Sequence, residues 1–255
     1  MVKNGERLAG YLAHGDEWAV GSDGDSPVAM HWDGRQWKRV QLPSLKGASL
    51  SDVVAIAGND VWIVGTQGSR PLTLHWDGAG WRVYDMSTVV RSPSELYAVD
   101  GVSATAVWAI GAKNTDMVQA GLEELILRWD GRQWKQASFG IGWSERDAID
   151  AVSENDVWTL GQDLSYEDAG DYILHWDGRR ETRFTHDGPW GIAAASPTSG
   201  FAVGYYDIVH WDGTRWRVQP TAFLAQHDTH LEAVSAISGS EAWAVGDHII
   251  ARYSR

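Results

Sequence analysis

The sequence predicts an all-β protein, because one short unit of alternating apolar and polar residues recurs six times along its 255 residues. The unit reads D-V-W-x-V-G, then a variable stretch, then L-H-W-D-G-x-x-W-x-V. Four short strands per unit, with no segment of helical period, predict a six-bladed β-propeller of four-stranded antiparallel blades. The first aromatic residue of each unit recurs at intervals of 44, 46, 50, 43 and 42 residues, at Trp18, Trp62, Trp108, Trp158, Phe201 and Trp243.

The second unit illustrates how the strands are assigned. Its four runs of β-forming residues are separated by turns rich in Gly, Asn and Asp. The Asp-Gly pair of W-D-G predicts a tight hairpin between the third and fourth runs, since glycine tolerates the positive φ that such turns require. The predicted strands are Leu50–Ile56, Val61–Gly65, Pro71–Trp76 and Trp81–Tyr84.

The ends of the chain predict how the ring closes. The sixth unit reaches Arg255 after only three strands. The segment Met1–Glu6 precedes the first strand of the first unit and is expected to complete the last blade, which would leave no open sheet edge. The whole chain, 1–255, is then one β-propeller domain.

The WAVG…HWDGxxW units resemble the tandem repeats of bacterial β-propeller proteins in the Kelch and galactose-oxidase-like group. They differ from WD40 repeats, because Gly follows their Trp-Asp pair and no Gly-His pair precedes it at blade spacing. The resemblance covers nearly the whole chain and implies a fold. It brings no catalytic motif, so the function has to be inferred from the site.

Composition excludes several classes of protein. A formal net charge of −13 argues against nucleic acid as a partner and favours basic ligands over phosphates. The absence of Cys excludes disulfides and thiol catalysis, and no run of eighteen apolar residues predicts a membrane span. No nucleotide-binding or hydrolase motif occurs, so no cofactor is expected.

The sequence also gives expectations for the oligomeric state and the cellular location of the protein. The chain is expected to be a monomer. No charged segment followed by an apolar one comes after Met1, so the chain as written is expected to be cytoplasmic, or secreted if a signal peptide has been removed.

Most of the conspicuous side chains are predicted to be structural. Fourteen of the 16 Trp fall on repeat positions, as expected of rings that fill the wedge between neighbouring blades. Histidine shares one repeat position with arginine, which cannot ligate a cation, so this position predicts a hydrogen-bond donor and no metal site. That position holds His31, His75, Arg128, His175, His210 and Arg252.

Carboxylates depart from the pattern at one other repeat position. Asp100 and Asp150 stand eight residues before the aromatic, where the other units are aligned as Val54, Ala193, Ser235 and Gly10. The aspartates of W-D-G, in contrast, are predicted to be turn residues.

Length variation locates the expected working face. It is concentrated between the second and third strands, at Ala112–Glu123 and Gln162–Asp171, and in the long connections Ser138–Arg146 and Pro220–His230. In an up-and-down blade these connections open on one side, and loops on a rigid scaffold are where ligands bind. Residues eleven positions before each aromatic, and four after it, would line that mouth.

The mouth combines carboxylates with aromatic rings that the repeat does not require. The main hypothesis is a propeller that binds a small molecule or a carbohydrate there; the alternatives are a cofactor-independent hydrolase, lyase or cyclase at the same mouth, and a protein-interaction scaffold. The acid–base residues of the enzyme alternative would be Asp147, His230, Glu232 and Tyr97. The predicted ligand-binding residues are Arg7, Trp143, Arg146, Trp190, Tyr205, His227 and Asp247.

Overall fold

The computed structural model describes residues 9–13, 16–114, 122–137, 144–163, 170–186, 188–205, 207–221 and 230–254, with the backbone alone at 9–13, 16, 114, 122, 144–147 and 163. These residues form β-strands in six antiparallel sheets and contain no helix. The all-β prediction is therefore confirmed. The chain divides into two compact units, Met1–Ser138 and Phe139–Arg255, and the single domain over 1–255 stays a prediction.

The first unit contains three four-stranded sheets, each a meander in chain order. Sheet 1 consists of β1 (Ala9–Ala13), β2 (Asp16–Asp23), β3 (Ser26–Trp32) and β4 (Trp37–Val40). Sheet 2 consists of β5 (Ala48–Ala57), β6 (Asp60–Gln67), β7 (Arg70–Trp76) and β8 (Trp81–Tyr84). Sheet 3 consists of β9 (Ser94–Ser103), β10 (Ala106–Asn114), β11 (Leu122–Trp129) and β12 (Trp134–Gln136).

The second unit contains two four-stranded sheets and one of three strands. Sheet 4 consists of β13 (Ser144–Ser153), β14 (Asp156–Asp163), β15 (Gly170–Trp176) and β16 (Glu181–Thr185). Sheet 5 consists of β17 (Pro189–Ser196), β18 (Ser199–Gly204), β19 (Ile208–Trp211) and β20 (Trp216–Val218). Sheet 6 consists of β21 (Leu231–Ser238), β22 (Glu241–Gly246) and β23 (Ile249–Ser254). Met1–Glu6 lies outside the described residues, so closure by that segment stays a prediction.

The W-D-G turn has the predicted role. Asp77 Oδ1 accepts the backbone N–H groups of Ala79 and Gly80, both at 2.9 Å, while Gly78 has a φ of 88°. The same turn recurs in the other four W-D-G units, where the aspartate is again the acceptor. These hydrogen bonds favour the ionised carboxylate, and Lys38 helps to lower the pKa of Asp33 to about 2.

The repeated tryptophans pack between neighbouring sheets, as predicted. Trp62 is fully buried, and the ring of Trp134 from the next sheet meets it edge-on, with ring centres 5.2 Å apart and planes at 90°. Two further pairs share this geometry, Trp18 with Trp81 and Trp158 with Trp216. Such edge-to-face pairs stabilise the contact by about 1 kcal/mol beyond the area that they bury.

Two repeat tryptophans depart from this arrangement. Trp243 in sheet 6 is 40% exposed and Trp37 in sheet 1 is 42% exposed. Trp243 shares the exposed face of sheet 6 with Val245 and its cross-strand partner Ile250. The packing role predicted from the repeat therefore holds for most of these rings but not for all of them.

The histidine position is structural, as predicted. His75 stacks on Trp62 with ring centres 4.2 Å apart, and its Nε2 lies 2.8 Å from Asp60 Oδ1. That oxygen also accepts the Trp62 indole N–H at 3.0 Å. In sheet 6 the same position holds Arg252, which binds Glu241 and lies 5.4 Å from the centre of the Trp243 ring.

The first strand of each described repeat from sheet 2 to sheet 6 carries a β-bulge near its start. In sheet 2, Leu50 pairs with Gly65 and Asp52 with Val64, so Ser51 is the extra residue. The bulge falls on the position eleven residues before the aromatic, which the sequence had selected as a mouth position. Its other members are Tyr97, Asp147, Trp190 and Glu232.

The last glycine of the W-x-V-G pattern permits this bulge. A Cβ on Gly65 would lie 2.0 Å from the carbonyl oxygen of Ser49, and one on Gly111 would lie 2.0 Å from that of Glu95. No side chain fits at such a distance. Glycine is required there because the bulged backbone approaches the second strand closely.

Aspartates on the first strands bind the backbone of the following sheet. Asp52 accepts N–H bonds from Val53 at 2.8 Å and from Val99 of sheet 3 at 3.0 Å. Desolvation raises the pKa of Asp52 to about 6 in spite of these bonds. Asp150 likewise accepts the N–H of Ala194 in sheet 5.

One alignment within the first strands was wrong. The residue that pairs with Trp18 is Tyr11, not Gly10, because the pairing of β1 with β2 has no bulge, whereas β5 carries an extra residue, Ile56, just before its hairpin. A sequence repeat cannot show where a hairpin drops a residue unless the pairing register is known.

Candidate functional site

Three aromatic side chains at one end of sheets 5 and 6 form the candidate site. Trp190 lies 5.9 Å from Tyr205 and 4.7 Å from His230, measured between ring centres, and its plane makes an angle of 76° with each. Tyr205 and His230 are parallel, with centres 5.5 Å apart. We call this group the aromatic corner, since one ring stands perpendicular to two others.

The corner is exposed to solvent. Trp190 is 44% exposed and Tyr205 is 47% exposed, whereas the side chain of His230 is only 20% exposed. The imidazole therefore supports the two outer rings from behind. A pair of large rings that the packing of the repeat does not require is a candidate ligand surface.

The repeat backbone holds the corner in place. Trp190 is the extra residue of the bulge in β17, and a Cβ on Gly204 would lie 1.9 Å from the carbonyl oxygen of Gly188. In sheet 6, a Cβ on Gly246 would lie 1.9 Å from the carbonyl oxygen of His230. Both bulges depend on glycine, so the two positions are fixed by backbone packing as well as by their side chains.

A second layer of polar contacts anchors the segment that leads to Trp190. Asp171 Oδ2 accepts the Gly188 N–H at 2.8 Å, and its Oδ1 accepts the Gln162 amide at 3.0 Å. Asp207 Oδ1 lies 3.4 Å from His186 Nε2 and ties down the turn that carries Tyr205. These contacts hold the backbone segments next to the two outer rings.

Carboxylates lie beside the corner as well. Glu232 Oε1 is 3.5 Å from His230 Nε2, and the glutamate side chain is 63% exposed. The backbone N–H of Asp247 donates to the carbonyl oxygen of His230 at 3.2 Å, which places the exposed Asp247 next to the same strand. The local charge is therefore supplied by acids, consistent with the net charge of the chain.

The structure brings together four of the residues predicted from the sequence, Trp190, Tyr205, His230 and Glu232, with Asp247 adjacent. Tyr97 lies on the bulge of β9, in the first unit. Arg146 and Asp147 lie at the start of β13, where only the backbone is described. Arg7, Trp143 and His227 lie outside the described residues.

Sequence reasoning missed the anchoring residues Asp171 and Asp207. Both lie in or beside stretches whose length varies between repeats, so no repeat position marked them. The predicted loops were also too long, since β10 continues to Asn114 and β14 continues to Asp163.

Two features are absent from the described residues. These residues contain no group of three or more His, Cys, Asp or Glu placed to hold a metal ion. They also contain no helix of the length and hydropathy needed to cross a membrane.

Solved structures similar to the chain establish its architecture. A structure of YCF48 bound to D1 peptide covers 100% of this chain and 82% of its own, at 14% identity and a TM-score of 0.66. YCF48 from Cyanidioschyzon merolae covers 98% and 80%, at 15% identity and a TM-score of 0.64. The fold is that of a β-propeller.

The propeller is also similar to the GH74 xyloglucanase from Xanthomonas campestris, which covers 95% of this chain and 44% of its own, at 14% identity and a TM-score of 0.64. No family model and no curated protein matches the sequence. Identities this low show a shared fold only, because one fold hosts many functions. The function therefore has to be argued from the aromatic corner.

Proposed function

We propose that this propeller is a binding module that holds a small organic molecule or a sugar ring against the Trp190–Tyr205 faces of the aromatic corner. The observation that carries the proposal is the exposure of these two aromatic residues, 44% for Trp190 and 47% for Tyr205, with Trp190 held by the bulge of β17. Rigid aromatic rings contribute binding area at low entropic cost, because little conformational freedom remains to be lost.

The first strands of sheets 2 to 6 carry different residues at their bulges, which favours one site over a set of equivalent ones. The bulge residues are Ser51, Tyr97, Asp147, Trp190 and Glu232 in sheets 2 to 6. A lectin-like array would repeat the same ligand-binding residue in each unit. The relatives in fold are compatible with this kind of role, since one is described as bound to a peptide and another as a xyloglucanase.

Ligand screening with matched variants tests the proposal. A library of small molecules and oligosaccharides is screened by thermal shift, and hits are titrated into ¹⁵N-labelled protein while the indole N–H signals are followed. We expect the Trp190 signal to move, and Trp190→Ala to weaken binding by at least tenfold, since the stacking contact and the apolar area that it buries together contribute more than about 1.4 kcal/mol.

Trp37→Ala is the matched control, because Trp37 is 42% exposed but lies on sheet 1. Its removal should leave the affinity unchanged. Hits that bind equally well to Trp190→Ala and to the unmodified protein would contradict the proposed site.

Acid–base catalysis is the second candidate, favoured by the 3.5 Å approach of Glu232 to His230. A carboxylate beside an imidazole can hold the ring in the orientation that a general base needs. Turnover of any hit that is lost in His230→Gln, while binding persists, would favour this candidate. Binding without turnover favours the module.

A further inference from the structure

The aromatic faces of the corner favour a ligand with a positive charge. Each aromatic face carries the negative end of a quadrupole, so it attracts a cation within about 6 Å of the ring centre. Trp190 is perpendicular to Tyr205 at 5.9 Å, and both rings are nearly half exposed. A rounded cationic group lying against both of these exposed residues would contact two aromatic rings at once.

The carboxylates around the corner favour the same sign of charge. Glu232 is exposed beside His230, and Asp247 follows on the adjoining strand end. Asp171 and Asp207 hold the segments that carry the two outer rings. A net charge of −13 adds a long-range field that attracts cations to the whole protein.

Building on the binding function proposed above, we propose that the ligand is an organic cation whose alkylated ammonium group lies in the Trp190–Tyr205 corner beside Glu232. An alkylated ammonium is large, weakly hydrated and has few or no N–H groups, so ring faces satisfy it better than hydrogen-bond acceptors do. A primary ammonium or a neutral sugar would gain less, because each needs several directed hydrogen bonds.

Choline and its neutral carbon isostere, 3,3-dimethylbutan-1-ol, separate charge from shape. Each is titrated into the ¹⁵N-labelled full chain while the Trp190 indole signal, assigned with Trp190→Phe, is followed. We expect choline to bind at least about tenfold more tightly than the isostere, as cation–π attraction and the nearby carboxylate add to a contact that both share.

Two variants divide the affinity into its parts. Glu232→Gln should weaken choline about threefold to tenfold and leave the isostere unchanged, whereas Trp190→Ala should abolish the binding of both. Glu154→Gln is the charge-matched control. Glu154 is an exposed residue in the turn between β13 and β14, at the end of that hairpin opposite to its bulge at Asp147. This variant should bind choline as the unmodified protein does.

The outcomes distinguish the two proposals. Equal binding of choline and the isostere, with both lost in Trp190→Ala, would overturn the cation inference and leave the binding function standing. Choline binding that is insensitive to Glu232→Gln but lost in Trp190→Ala would overturn the role of the carboxylate. If a neutral sugar or an aromatic molecule binds at Trp190 and choline does not, the proposed class of ligand, an organic cation, is wrong. If no ligand moves the Trp190 signal, the proposed binding function is wrong.

Discussion

The carboxylate of Asp60 lies 2.8 Å from the imidazole of His75, and the same oxygen accepts the indole N–H of Trp62 at 3.0 Å. The side chains of the pair are only 14% and 21% exposed, and His75 stacks on Trp62. One carboxylate therefore forms hydrogen bonds with two polar groups that would otherwise lie within the packed repeat without a partner. His175, Asp156 and Trp158 repeat the ring stack and the imidazole–carboxylate hydrogen bond in sheet 4.

Asp60→Ala should destabilise the protein by about 1–3 kcal/mol, because it leaves the Trp62 and His75 nitrogens buried without their acceptor. Urea unfolding followed by circular dichroism measures the change. Asp25→Ala, at an exposed turn position, is the control and should stay within about 0.5 kcal/mol of the unmodified protein. Similar losses in both variants would contradict a buried role for Asp60.

Gly65→Ala should cost about 2–4 kcal/mol or prevent folding, because its methyl group would lie 2.0 Å from the Ser49 carbonyl oxygen and 2.9 Å from the Leu50 Cα. These backbone atoms of β5 cannot move away without breaking the bulge. Gly80→Ala is the matched control, since a Cβ there meets nothing within 4 Å. Thermal unfolding of both variants measures the effect, and Gly80→Ala should be neutral or slightly stabilising. A Gly65→Ala variant as stable as the unmodified protein would disprove the close approach.

Asp52→Asn should make the free energy of unfolding less dependent on pH. Desolvation raises the pKa of Asp52 in the folded state from its ordinary value of 3.8 to about 6. The contribution of this group to stability is therefore complete below about pH 3.8 and is lost as the pH rises through 6. Relative to the unmodified protein, the variant should gain up to about 3 kcal/mol between pH 4 and pH 7.

Urea titrations across that pH range measure this trend. The amide of Asp52→Asn has one oxygen and cannot accept both the Val53 and the Val99 N–H bonds, so the absolute stability of the variant will differ from that of the unmodified protein. The readout is therefore the change in this difference with pH. Asp25→Asn serves as the control for an exposed aspartate. A constant difference between Asp52→Asn and the unmodified protein would contradict the burial of this carboxylate.

Trp62→Ala should destabilise the protein far more than Trp243→Ala, although both residues occupy the same repeat position. Trp62 is fully buried and Trp243 is 40% exposed. Removing a buried ring of this size costs about 3–5 kcal/mol, and we expect roughly half of that at Trp243. Chemical unfolding of both variants measures the ratio, and equal losses would show that the Trp243 face is covered in solution.

Much of the fold could be predicted from the sequence, since the predicted strands of the second sequence repeat lie within two residues of their observed ends. Val61–Gly65 was predicted where β6 spans Asp60–Gln67, and Trp81–Tyr84 was predicted as observed. These strands are local features, fixed by alternation and by turn residues. The site was only partly predictable, because a repeat marks departures such as Trp190 but not their neighbours in space.

The sequence by itself determined the number of repeats, the W-D-G turns and the structural role of the His or Arg position, because each depends on residues close together in the chain. Only the tertiary structure decided that the position eleven residues before the aromatic is a bulge, that Tyr11 pairs with Trp18 in the strand register, and that Trp190, Tyr205 and His230 share one corner. Those facts depend on strand register and on packing between sheets. Residues distant in sequence meet there under constraints that no local pattern contains.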